Sequence, residues 1–90
     1  MAHTVTLNWV ASTDAVDGYN VYRGTAAGVD TLKLNTALVV GTTFTDPSPL
    51  GGHDYYEVKA SLGGVEAVAS NEVSVLVPPA PATNLVAVLN

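Results

Sequence analysis

Few side chains in this sequence can do acid–base or metal chemistry. Histidine occurs twice, as His3 and His53. A structural zinc site needs about four N or S ligands, and neither histidine has a partner at hairpin or helical spacing. Both are read as solvated loop side chains, His3 near the start and His53 in a glycine-rich turn. Asp14 and Asp17 sit close together beside Thr13. Two carboxylates can begin a calcium site, but calcium takes about six to eight oxygens and this segment is too sparse. Their expected role is to bond their own backbone in a turn. Serine and threonine are abundant, yet none lies in a nucleophile-elbow motif. Paired carboxylates of the glycosidase kind lack a segment to build a pocket around them. The expectation is a non-enzyme with no catalytic residue, no metal and no cofactor.

Other polar and aromatic side chains point to surfaces. Glu57 and Lys59 share one strand face and are expected to form a solvated pair of small energetic weight. Tyr22 and Tyr55 are candidates for an exposed aromatic face, of the kind that stacks on sugar rings. The competing reading is packing on the outer face of neighbouring strands. Arg23-Gly24-Thr25 is not the Arg-Gly-Asp adhesion tripeptide.

The elements that must carry these residues are short. The chain has 90 residues, 48% of them hydrophobic and 12% charged, and no cysteine. That favours one small folded domain, held without disulfides. Formal net charge is −5, and Arg23, Lys33 and Lys59 are the only cations. Three scattered cations cannot displace counterions from a phosphate backbone, so no nucleic-acid partner is expected. The same deficit argues against docking on anionic lipid, and no apolar run reaches membrane-span length. Met1-Ala2 reads as an expression start, and no signal peptide is seen in this stretch.

Period-two alternation dominates. Thr4-Val5-Thr6-Leu7-Asn8-Trp9 places Val5, Leu7 and Trp9 on one face. After a Ser/Thr/Asp-rich loop, Gly18-Tyr19-Asn20-Val21-Tyr22-Arg23-Gly24 reads as a strand with Tyr19 and Val21 inward and Tyr22 outward. Leu32-Lys33-Leu34-Asn35 is a short edge strand. Leu38-Val39-Val40 and Thr43-Phe44-Thr45 straddle Gly41 as one interrupted strand or two short ones. Asp46-Pro47-Ser48-Pro49 stops the pattern because proline cannot donate to a ladder. Gly51-Gly52 is a turn. From Tyr55 to Ala60 runs a strand with Tyr56, Val58 and Ala60 on one face, broken by Gly63-Gly64. Val73, Val75 and Val77 line one side of a last strand. Pro78-Pro79-Ala80-Pro81 follows as an extended linker. Asn84-Leu85-Val86-Ala87-Val88 then resumes strand-like alternation. No segment has a capped helical period. Six or seven short strands in this length predict an all-β, two-sheet antiparallel sandwich of immunoglobulin-like form.

The runs VTLNW, GYNVYRG, KLN, GTTFTD, YYEVKA and SNEVSV, in this order and spacing, resemble bacterial fibronectin type III modules, from Thr4 to Val77. The resemblance implies family strands B, C, C′, E, F and G in two packed sheets. It matches Trp9 to the core tryptophan, Tyr19 to an aromatic of strand C, and Leu50 to the leucine before strand F. Trp9 is accordingly expected to be the largest core residue, between the sheets against Tyr19 and Val58. The tyrosine that opens strand F in the family falls on Asp54, with Tyr55 one residue late. Either the loop is one residue short or that corner is lost.

The family's first strand is absent from the beginning of the chain, and text resembling it appears at the end, from Pro79 to Ala87. The expected organisation is therefore a sandwich over 1–77, then over 78–90 a linker and the strand-A-like segment of a following module, as in tandem repeats. Such a frame implies a structural spacer or accessory module of an extracellular or cell-surface bacterial protein, with neighbouring domains of the same polypeptide as partners. The alternative is a carbohydrate- or protein-binding module. Asn84, Leu85, Val86, Ala87 and Val88 are the candidate interaction residues. From Val77 to Asn84 the chain reaches at most about 25 Å, which makes filling its own groove strained. Strand exchange into a second molecule, giving a homo-oligomer, competes with a disordered tail on a monomer.

Overall fold

The structure, a computed structural model, describes residues 3–79 and 82–90. Its strands are β1 (Val5–Asn8), β2 (Gly18–Gly24), β3 (Leu32–Lys33), β4 (Thr43–Asp46), β5 (Gly52–Leu62), β6 (Val65–Glu66) and β7 (Val73–Val77). No helix forms among the described residues. The expected all-β fold of two antiparallel sheets is what the chain adopts. β1 and β4 make one sheet, with Val5 opposite Asp46 and Asn8 opposite Thr43. The other runs β3-β2-β5-β6, and β7 shares the far edge of β5 with β6. Met1 and Ala2, and Ala80 and Pro81 of the expected linker, lie outside the described residues.

Alternation decides which side chains meet between the sheets. Val5 and Leu7 from β1 face Val21, Tyr56 and Val77 from the second sheet. Tyr19 and Val21 point inward and Tyr22 lies outward, as their spacing predicts. Trp9 differs from expectation. It packs edge-on against Tyr19, with ring centroids 5.4 Å apart, but it is only half-buried. Tyr56 is instead the largest fully buried side chain. The reason is positional: Trp9 lies just beyond β1, beside a flank that no strand covers among the described residues. Leu50, in the loop before β5, is half exposed.

Two short elements owe their length to side-chain substitutes for ladder bonds. β3 stops after Lys33 because Asn35 turns inward: its Oδ1 accepts from the Val21 amide at 2.8 Å. Its Nδ2 donates to Asn20 Oδ1 and to the Ala37 carbonyl, both at 2.9 Å. Between β6 and β7, Ser70 performs the same task. Its Oγ accepts from the Val58 amide at 3.0 Å and its own amide donates to the Val58 carbonyl at 2.8 Å. Leu38-Val39-Val40 does not form a strand; Val39 makes a single bridge to Tyr19.

β5 is longer than its alternation suggested. Gly52 and His53 pair with Val77 and Leu76 of β7, so His53 sits in a strand rather than a turn. The Gly63-Gly64 pair does not end the sheet. Both glycines take positive φ, 59° and 81°, and fold the chain into the β5–β6 hairpin. A residue bearing a Cβ is strained there.

Candidate functional site

One flank of β1 is left unfinished. β1 pairs with β4 on one side only. The Trp9 amide continues that pairing by donating to the Thr42 carbonyl at 2.9 Å. Since ladder bonds alternate along an antiparallel strand, the backbone groups of Thr6 and Asn8 aim at the unpaired side. Beside that edge a groove of about 370 Å³ opens between the two sheets. Leu7 and Trp9 form one wall; Tyr56, Val58, Ser70 and Val73 form the other. Val73 was expected in the inward row of β7 with Val75 and Val77. Burial instead decays along that row: Val77 is buried, Val75 half-buried and Val73 exposed. Val73 lines the groove, whereas Val75 and Val77 do not, which accounts for the gradient.

The candidate interaction residues are free of the sandwich. Leu85 is 94% exposed and Leu89 99%, and Asn84, Val86, Ala87 and Val88 are exposed too. None belongs to a strand, since a strand needs a partner to pair with. Asn84 holds a positive φ of 57°, a conformation asparagine tolerates better than most residues.

At one pole of the sandwich four ionisable groups converge inside. Arg23 Nη1 donates to Asp46 Oδ2 at 2.7 Å and to the Ser48 carbonyl at 3.1 Å. The Tyr56 hydroxyl donates to the same Asp46 oxygen at 2.7 Å. The Ser48 amide caps Asp46 Oδ1 at 3.1 Å. Burial pushes the Asp46 carboxyl up, but hydrogen bonds from Tyr56, Arg23 and Ser48 outweigh it and hold it below the usual carboxylate range. Asp54 is fully buried with no hydrogen-bond partner for its carboxyl oxygens. Desolvation raises it, Arg23 pulls it down and Asp46 pushes it up again, for a net rise. The position matched to the family tyrosine is thus an inward aspartate. Tyr56, two residues on, instead ties β5 to the end of β4. Tyr55 is outward, its ring 6.4 Å from that of His53.

A second acidic pair lies near β7. Asp30 is 6% exposed, with both carboxyl oxygens unpartnered. Burial first, then its neighbour Glu72, raise it from 3.8 to about 7. Glu72 itself accepts from the Gly28 amide at 2.9 Å.

On the outer face, Lys59 does not pair with Glu57. Its ammonium lies 4.8 Å from the centroid of the Tyr22 ring. The Tyr22 hydroxyl and Asn20 Nδ2 both donate to Glu66 Oε2. The hydrogen bond to Glu66, with burial and negative neighbours, raises the Tyr22 phenol to about 12. Asp17 is also engaged: its Oδ2 accepts from the Gly63 amide at 2.9 Å, tying the first loop to the β5–β6 turn. Asp14 stands apart, its amide donating to Ser12 Oγ at 3.2 Å. Sequence reading missed Arg23, Asp30, Asp46, Asp54 and Asn35 as buried polar residues. Only the inward register of Arg23 with Tyr19 and Val21 carried a hint of it.

No protein-family profile, no curated protein and no solved structure matches the chain.

Proposed function

We propose that the chain is a non-catalytic structural module of the fibronectin type III kind, a spacer or accessory domain of an extracellular or cell-surface bacterial protein. Its partners are neighbouring domains of the same polypeptide. The observation that carries this reading is where the ionisable groups lie. Arg23, Asp46 and Tyr56 close on one another inside the sandwich, where their side chains are taken up in bracing β2, β4 and β5. The ordered motif resemblance from Thr4 to Val77 supports the same reading.

Carbohydrate or protein binding is the second reading, favoured by the outer face. Tyr22 is partly exposed there, and a polar depression brings Asn20, Lys33 and Glu66 around it. Pull-down on insoluble polysaccharides and a glycan array, with Tyr22→Ala as control, separate the two. The spacer reading expects no retention. Saturable retention that Tyr22→Ala abolishes would replace it with the binding reading.

A further inference from the structure

The chain contains both a groove lacking a strand and a strand-like segment lacking a sheet. The groove follows the unpaired edge of β1 and is lined by Leu7, Trp9, Tyr56, Val58 and Val73. The segment at 84–88 alternates, putting Leu85 and Ala87 on one face, and its apolar side chains stand in solvent. Its five residues span about 17 Å when extended, close to the length of the edge from Val5 to Val10.

The fold sets the direction. Val77 pairs with Gly52, at the pole where Val5 faces Asp46, so β7 leaves the sandwich at the pole where β1 begins. Every strand pair here is antiparallel. A strand added antiparallel to β1 starts at the far pole, beside Asn8 and Trp9. To reach it, the linker from Val77 to Asn84, at most about 25 Å when extended, would have to climb the whole flank and then reverse. Two consecutive prolines, Pro78-Pro79, stiffen the start of that path. In the structure the segment does not enter its own groove, and the long axis of the molecule extends to 69 Å against 22 and 20 Å across. A second copy stacked end-on places its Asn8–Trp9 pole where the tail emerges.

We propose that this groove is a strand-acceptor site whose occupant is residues 84–88 of a second copy of this chain. Leu85 and Ala87 enter between Leu7, Trp9 and Val73, and the backbone pairs with Thr6 and Asn8. The contact is head-to-tail, so each copy donates to one neighbour and accepts from another, and assembly is an open row unless the rotation closes a ring. This deepens the spacer reading by naming how units join, yet stands or falls separately, since sedimentation does not depend on glycan binding.

Two full-length variants test it. Leu85→Asp removes the donor face, and Val73→Asp places a charge on the partly exposed acceptor wall. Wild type is expected to sediment as a concentration-dependent ladder. Each variant alone is expected to be monomeric, with association weakened at least tenfold and a folded β-sheet circular dichroism spectrum. Mixed, the two should form a 1:1 pair and nothing larger, because each retains one working half. Trp9, the only tryptophan, should shift to the blue as the pair forms. Should Val73→Asp fail to fold, a synthetic peptide of residues 82–90 added to Leu85→Asp should give the same Trp9 shift. A wild type monomeric up to about 1 mM, the limit of a weak contact, would overturn the proposal. So would association that survives Leu85→Asp, or a Trp9 shift independent of concentration, which would mean filling in cis.

Discussion

Arg23 and Asp46 are charged residues on inward-facing positions, and their burial has a definite energetic consequence. Their side chains meet at 2.7 Å with 10% and 3% of their surface exposed. A buried ion pair gains little over well-packed apolar residues, but losing one partner strands the other charge at a cost of about 3–5 kcal/mol. Asp46→Ala should therefore destabilise by that order, since it orphans both Arg23 and the Tyr56 hydroxyl. Tyr56→Phe removes one hydrogen bond to a charged group and should cost less, about 1.5–3 kcal/mol. Urea denaturation of both variants and of the double variant checks the network. Equal losses from Asp46→Ala and Tyr56→Phe would mean that Arg23 is not held by Asp46. The inward register of Arg23 follows from alternation with Tyr19 and Val21. That two aspartates would join it could not be read from sequence, because Asp46 arrives from the other sheet and Asp54 from a stretch that reads as turn.

At the scale of elements, alternation located β1, β2, the centre of β5 and β7, because half-buried strands imprint a period of two. It failed where pairing rather than pattern makes the strand. Gly52 and His53 are strand residues only because β7 lies beside them. Leu38 to Val40 is apolar enough for a strand, yet only Val39 finds a partner. Trp9 shows the same dependence. Its position on the inward face is right, but burial is completed by whatever lies along β1, and the groove there is open. Trp9→Ala should cost about 3 kcal/mol, the low end for a buried tryptophan, read by thermal or urea melts. A loss near zero would remove Trp9 from the core altogether. The candidate site divides likewise: the tail's alternation is legible in sequence, whereas the groove walls come from β1, β5 and β7 and exist only once these are packed. Gly24 reads as an ordinary strand end, but a Cβ there would overlap the Val29 carbonyl oxygen. The loop returning to β3 presses on the β2 backbone. Gly24→Ala should destabilise by about 1–3 kcal/mol as the loop is forced outward. An unchanged melting temperature would show that the loop yields freely.

Across the whole molecule, Asp46 and Asp30 give opposite responses to pH, and together they set where the fold is most stable. Asp46 is depressed in the folded state. Its contribution is present above the unfolded carboxylate value near 3.8 and is lost as pH falls through the lower folded value. Asp30 is raised from 3.8 to about 7 by burial and by Glu72. The folded chain then binds more protons than the unfolded chain between those values, so stability falls as pH rises from about 4 to about 7. Asp54, raised by desolvation against the pull of Arg23, acts in the same direction. A formal net charge of −5 at neutrality adds self-repulsion with the same sign. Maximum stability should thus lie near pH 4–5, below the neutral optimum usual for small domains. Melting temperatures from pH 2 to 9 test this. Asp30→Asn should flatten the fall between about pH 4 and 7 while leaving the acid limb in place. Asp46→Asn should do the reverse, lowering stability throughout and weakening the acid limb. A stability profile flat from pH 4 to 7 in the unsubstituted chain would show that Asp30 ionises without resistance, and that its burial beside Glu72 is relieved when the proton leaves.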